Sequence, residues 1–87
     1  MFGQGNTTAR FRIRKTRLSD LIETFGLGVT ISEENDDEIT VIANVNALGM
    51  KQFAQNYAPD VVILEPKSLA EEMRSWVEET LKRYQET

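Results

Sequence analysis

Hydrophobic residues in this chain switch between a period of two and a period near 3.6, and the switches divide it into elements. From Ala9 to Arg14, Phe11 and Ile13 alternate with Arg10, Arg12 and Arg14, which predicts a half-buried strand. Thr16 stands where a cap is needed ahead of Leu18, Leu21, Ile22 and Phe25, whose spacing is helical, and Gly26 ends that run. Val29 and Ile31 open a second strand. An acidic, turn-forming tip, Glu33 to Glu38, then leads to a third, Ile39 to Val45, whose Ile39, Val41, Ala43 and Val45 share a face, so the two form a hairpin. Asn46 can cap a second helix carrying Met50, Phe53, Ala54 and Tyr57 at i, i+3, i+4 and i+7, closed by Ala58-Pro59.

The junction that follows is the most informative part of the chain. A doubly apolar strand, Val61-Val62-Ile63-Leu64, meets Pro66, which cannot continue a ladder and pre-sets a helix-compatible φ. Ser68 and Glu71 have the spacing of a capping box. Leu69, Met73, Trp76, Val77, Thr80, Leu81 and Tyr84 then fall on one side of a long amphipathic helix. Its other face is charged, with Glu78 and Lys82, and Glu79 and Arg83, in the favoured i,i+4 order. One side of this helix needs a partner, and Met73, Trp76, Leu81 and Tyr84 are its candidate interface residues.

The order β-α-β-β-α-β followed by a helix predicts an α+β fold of the ferredoxin-like, split-βαβ kind, an antiparallel sheet with an additional long C-terminal helix. The first and third strands should lie side by side at its centre, with both inner helices on one face. Arg10, Arg12, Arg14, Glu38, Thr40, Ile42 and Asn44 then belong to the open face, with Arg14 near Glu38 or Thr40. The last strand must also show that face two apolar residues, and the final helix, from the same chain or a partner, is the expected cover.

Composition narrows the function. Eighty-seven residues make one domain with one small core and no room for a deep catalytic cleft. Cysteine and histidine are both absent, which removes a disulfide framework, thiolate metal sites and the commonest general base, and favours an intracellular setting. No apolar run approaches a membrane span and no signal peptide is evident, so a cytoplasmic protein without membrane contact is expected. The net charge of −4 is unevenly spread: residues 1–19 hold five basic groups and no acid. An acidic chain will not bind duplex DNA through its general field, but a strand with three arginines can make a local anion site.

The final junction resembles the C-terminal extension (WCX) domain that follows the WYL domain in bacterial transcriptional regulators. In that family a strand of the form V-x-V-L-x-P leads into a helix finishing near a Tyr, and Val62, Ile63, Leu64, Pro66, Leu69, Met73 and Tyr84 are the matching residues here. Phe2-Gly3, a small polar linker and the strand Arg10 to Ile13 look like the passage out of a WYL domain. The chain departs from the family in having Ala58-Pro59 where a Gly often precedes the last strand. On this reading residues 1–8 are an interdomain linker remnant, 9–87 are the domain, and the starting Met suggests an excised fragment. The resemblance implies a non-catalytic regulatory module that assists dimerisation or effector response. It also implies WYL and helix-turn-helix domains in the same parent, DNA bound by the parent rather than by this fragment, and a nucleic-acid-type or small-molecule effector.

Each candidate site has a plainer alternative. Arg10, Arg12 and Arg14 can contact an anionic effector through paired, charge-assisted hydrogen bonds, or simply pair with Glu38 and the acids of the last helix. RNA recognition on such a sheet needs open-face aromatics for stacking, and the first and third strands supply none. The acidic tip lacks the spacing of a calcium loop. Gly26-Leu27-Gly28 follows a helix, the wrong context for a dinucleotide loop. No catalytic residues, metal ligands or cofactor emerge. The rival reading is a stand-alone ferredoxin-like small-molecule-binding domain. A homodimer is expected from the surplus apolar surface.

Overall fold

The computed structural model describes residues 7–86. Strand β1, Thr7–Arg14, buries Ala9, Phe11 and Ile13 and turns its arginines the other way, as its alternation predicts. It starts two residues before Ala9, and most of the expected linker, residues 1–6, lies outside the described residues. A 3₁₀ turn, Lys15–Arg17, then leads into helix α1, Leu18–Phe25. Thr16 falls inside that turn and makes no capping bond, contrary to the sequence expectation, because the turn delays the helix until Leu18 and leaves Arg17 at its cap. Gly26 ends α1 with φ of 76°, a conformation that side-chain-bearing residues rarely adopt.

Strands β2, Thr30–Glu34, and β3, Glu38–Val45, form the hairpin. Its turn is held by Asn35, whose Oδ1 accepts from the amides of Asp37 (2.9 Å) and Glu38 (2.8 Å), so the tip is an Asx turn with solvated acids around it. Helix α2, Ala47–Tyr57, is capped as predicted, Asn46 Oδ1 accepting from Gly49 N at 3.0 Å. After it come β4, Val61–Glu65, and α3, Lys67–Gln85. The Ala58–Pro59 and Glu65–Pro66 peptide bonds are cis. The expected Ser68 cap is not formed: Pro66 itself occupies the cap, its carbonyl accepting from the amides of Leu69 and Ala70, and Ser68 lies within the first turn. Glu71 instead faces Lys67 at 3.9 Å.

The result is an α+β architecture, a four-stranded antiparallel sheet with three α-helices, the last of them long. The sheet order is β2-β3-β1-β4, with β1 and β3 paired at the centre through Phe11 opposite Val41 and Arg14 opposite Glu38. One core joins the inward residues of the sheet to Leu21 of α1, Met50 and Phe53 of α2, and Leu69 and Met73 of α3. At its centre Phe11, Phe25 and Phe53 pack with ring centroids 5.0–6.4 Å apart, in tilted and edge-on geometries that suit aromatic quadrupoles. All three helices therefore serve the same face. Of the two covers expected for the open face, the chain's own α3 does not serve: it packs beside α2, with Lys51 Nζ 3.5 Å from Glu72 Oε1, and Val62 of β4 stays exposed on the open side.

Candidate functional site

The open face is the natural place to look for function, since strand parity places three arginines there and no helix hides them. Arg10 is held across β1 and β4 by Glu65, Nε to Oε1 at 3.2 Å, a pairing that a register shift between Arg10 and Phe11 makes possible. Arg14 reaches Asp60, just ahead of β4, at 3.1 Å, although Glu38 is its register partner on β3. Arg12 makes no ion pair among the described residues. It borders a shallow depression of about 340 Å³ that Glu33, Glu34, Asn35, Glu38 and Thr40 also line. Thr40, 5% exposed, is flanked by Arg12 on β1 and Glu33 on β2.

Asp60 is the focus of a larger network. Its two carboxylate oxygens take Arg14 Nε at 3.1 Å and Arg17 Nε at 2.9 Å, while its backbone carbonyl accepts from Arg14 N at 3.0 Å. Arg17 also approaches Asp20 Oδ2 at 3.5 Å and lies over the Tyr57 ring, 5.1 Å from its centroid. The Tyr57 hydroxyl donates to Asp20 Oδ1 at 3.2 Å. The ends of β1, α1 and α2 and the start of β4 are thus tied by one charge cluster. Asp60, through its hydrogen bond first, raises the Arg17 pKa above the ordinary arginine value. Burial, then the Asp20 charge, raises that of Tyr57. At the hairpin end, Lys15 Nζ sits 2.8 Å from Glu34 Oε2 and lowers the Glu34 pKa, mainly by that hydrogen bond.

Chemically, two of the three stripe arginines are already engaged by carboxylates, and the third has three glutamates around it. Arg17, Asp20, Tyr57 and Asp60 escaped the sequence reading because Arg17 and Asp60 are 43 residues apart and only the chain's return at β4 brings them together. Arg17 and Asp20 alone, at i,i+3 where a helix begins, could have been noticed. Of the candidate interface residues, Met73 is 8% exposed and belongs to the core, and Trp76 is half-buried against it. Leu81 and Tyr84 are 56% and 76% exposed. The described residues contain no group of acidic side chains arranged to hold a metal ion, and no helix long and apolar enough to cross a membrane.

The described residues thus form a small sheet with its helices on one face, an ion-paired charged surface on the other and an apolar stripe on α3 that is exposed toward its C-terminal end. A family model for the WCX domain matches residues 5–81, and the chain belongs to that family. No curated protein matches the chain.

Proposed function

We propose that this domain is a non-catalytic regulatory and interaction module in the C-terminal part of a WYL-type DNA-binding transcriptional regulator, working in the cytoplasm and assisting dimerisation or effector response. The observation that carries the reading is the WCX family match over residues 5–81. The central β1–β3 pair and the helix-covered single face support describing its fold as ferredoxin-like. Fold alone does not assign a role, so the weight rests on the family and on surfaces that the domain leaves unfilled.

Within that role the open face offers Arg12 as the effector contact, with Arg10 and Arg14 acting through their carboxylate partners as structural ties. DNA is read by the parent's helix-turn-helix, since this chain is acidic overall. The test is a parent regulator with this module removed, its binding to operator DNA followed by fluorescence anisotropy with and without effector. The expected result is retained DNA contact with the effector-dependent change abolished. A truncated parent that responds to effector like the intact one overturns the proposal.

A further inference from the structure

Opposite charges line the open-face depression without meeting. Arg12 on β1, Thr40 on β3 and Glu33 on β2 are neighbours across three strands, and Glu38 lies two residues before Thr40 on the same face of β3. With strands about 4.8 Å apart, the backbones that carry Arg12 and Glu33 are about 9.6 Å apart, and Glu38 is displaced from Thr40 by about 6.8 Å along its strand. Glu34, the third acid of the depression, is already engaged by Lys15 at 2.8 Å. Arg12, Glu33 and Glu38 border the same space of about 340 Å³, and none of them is in an ion pair among the described residues.

Thr40 adds a neutral group between them. The residue is only 5% exposed, yet its hydroxyl has no hydrogen-bond partner among the described residues, since Ser32 Oγ donates to the Thr40 carbonyl and not to its side chain. No fully buried side-chain oxygen among those residues lacks a partner, so the hydroxyl keeps its small exposed surface on the depression that Thr40 lines. One cation, two carboxylates and a hydroxyl without partners thus border one space, whose volume lies in the lower range of small-molecule sites. The acids are not arranged to hold a metal ion. Polar groups drawn partly out of water are stabilised by whatever completes their hydrogen bonds, so the occupant must match this set in number and sign.

We propose that this depression binds a free basic amino acid, its carboxylate on Arg12, its two cationic groups on Glu33 and Glu38, and the Thr40 hydroxyl hydrogen-bonded between them. This deepens the effector contact assigned to Arg12 above and rests on it. One carboxylate and two cations are the complement of one guanidinium and two carboxylates. A simple anion gains Arg12 but is repelled by both glutamates, a diamine leaves Arg12 unanswered, and an amino acid with an uncharged side chain leaves one carboxylate without a partner. The guanidinium suits the ligand's carboxylate because it offers paired, charge-assisted hydrogen bonds. Each ion pair is screened at this open surface and contributes modestly, so selectivity comes from all three acting together.

An NMR titration of residues 1–87 with free L-lysine should shift the backbone amides of Arg12, Glu33, Glu38 and Thr40 along one saturable curve. Three further probes each lack one group: cadaverine the carboxylate, norleucine the side-chain cation, and α-acetyl-lysine the α-ammonium. Each should bind at least about tenfold more weakly than lysine, ~1.4 kcal/mol. Arg12→Gln should weaken lysine binding by about tenfold without weakening that of cadaverine, whereas Glu38→Gln should weaken both. Glu65→Gln, which lies outside the depression, should alter neither, and resonances distant from the site report that each variant remains folded. Cadaverine binding as tightly as lysine, or lysine shifts that disappear at about 0.15 M salt, would reduce the site to an acidic surface that attracts cations and would overturn the proposal. Lysine shifts centred elsewhere, or none at all, overturn it equally. If lysine leaves the domain untouched while deleting the module from the parent abolishes the effector response, the ligand assignment falls and the regulatory reading stands. If lysine binds as expected and the truncated parent still responds to effector, the regulatory reading falls and the site stands.

Discussion

Asp60 shows how one side chain can organise several elements. It accepts from Arg14 and Arg17 and is itself only about one-fifth exposed, so water screens it less than it screens Glu65, which is nearly two-thirds exposed beside Arg10. Asp60→Asn should therefore lower the urea midpoint clearly more than Glu65→Gln, which should change it little; equal effects would mean that the cluster contributes no more than a surface pair. A second prediction follows from Lys15 and Glu34. Because Lys15 lowers the folded-state pKa of Glu34, the pair's stabilisation is complete above the unfolded-state value and is lost as pH falls through the folded-state one. In an NMR titration Glu34 should ionise below the ordinary glutamate range, and Lys15→Gln should return it to that range. No shift on substitution would mean that the 2.8 Å contact does not persist in solution.

At the scale of elements, α3 is where sequence periodicity and structure part company. Its apolar stripe reads as continuous from Leu69 to Tyr84, yet only Leu69 and Met73 enter the core, with Trp76 partly buried against it. The reason is length: nineteen helical residues extend about 28 Å, whereas the five-residue β4 beside them spans only about 17 Å, so the last turns pass beyond the sheet. A gradient of cost along the helix should result. Met73→Ala should destabilise by about 2–5 kcal/mol, as buried Met truncations do. Trp76→Ala should cost about half of the 3–5 kcal/mol typical of a fully buried Trp, and Tyr84→Ala should be within about 0.5 kcal/mol of neutral, as exposed positions usually are. Denaturant unfolding of the three variants measures the order, and a Tyr84 variant as unstable as the Met73 one would refute it.

What could be read beforehand were local rules: the alternation in β1 and β3, the Asn46 cap, the stop at Ala58-Pro59. Where a local rule had a competitor, it lost. Thr16 yielded to a 3₁₀ turn, and Ser68 to Pro66. The partners of Arg10 and Arg14, Glu65 and Asp60, depend on how β4 registers against β1, which no periodicity specifies.

Taken whole, the domain is a layer of helices on a sheet, about 42 × 30 × 21 Å, with its core on one face of the sheet and the three arginines of β1 on the other. That asymmetry separates two kinds of arginine on a single strand. Arg10 and Arg14 are occupied by carboxylates, so an incoming anion must displace a partner before it gains a guanidinium. Arg12 needs no displacement, but Glu33, Glu34 and Glu38 border the same depression and repel a bare anion. A ligand there must combine an anionic or planar hydrogen-bonding group for Arg12 with a donor-rich portion for the glutamates. In a WYL-bearing parent, Arg12→Ala should then weaken effector binding by about tenfold, ~1.4 kcal/mol, with the urea midpoint unchanged. Arg10→Ala should do the reverse, altering stability slightly and affinity little. Isothermal titration beside denaturant unfolding separates these outcomes. Unchanged affinity in the Arg12 variant would make the whole stripe structural and move the effector contact off this domain.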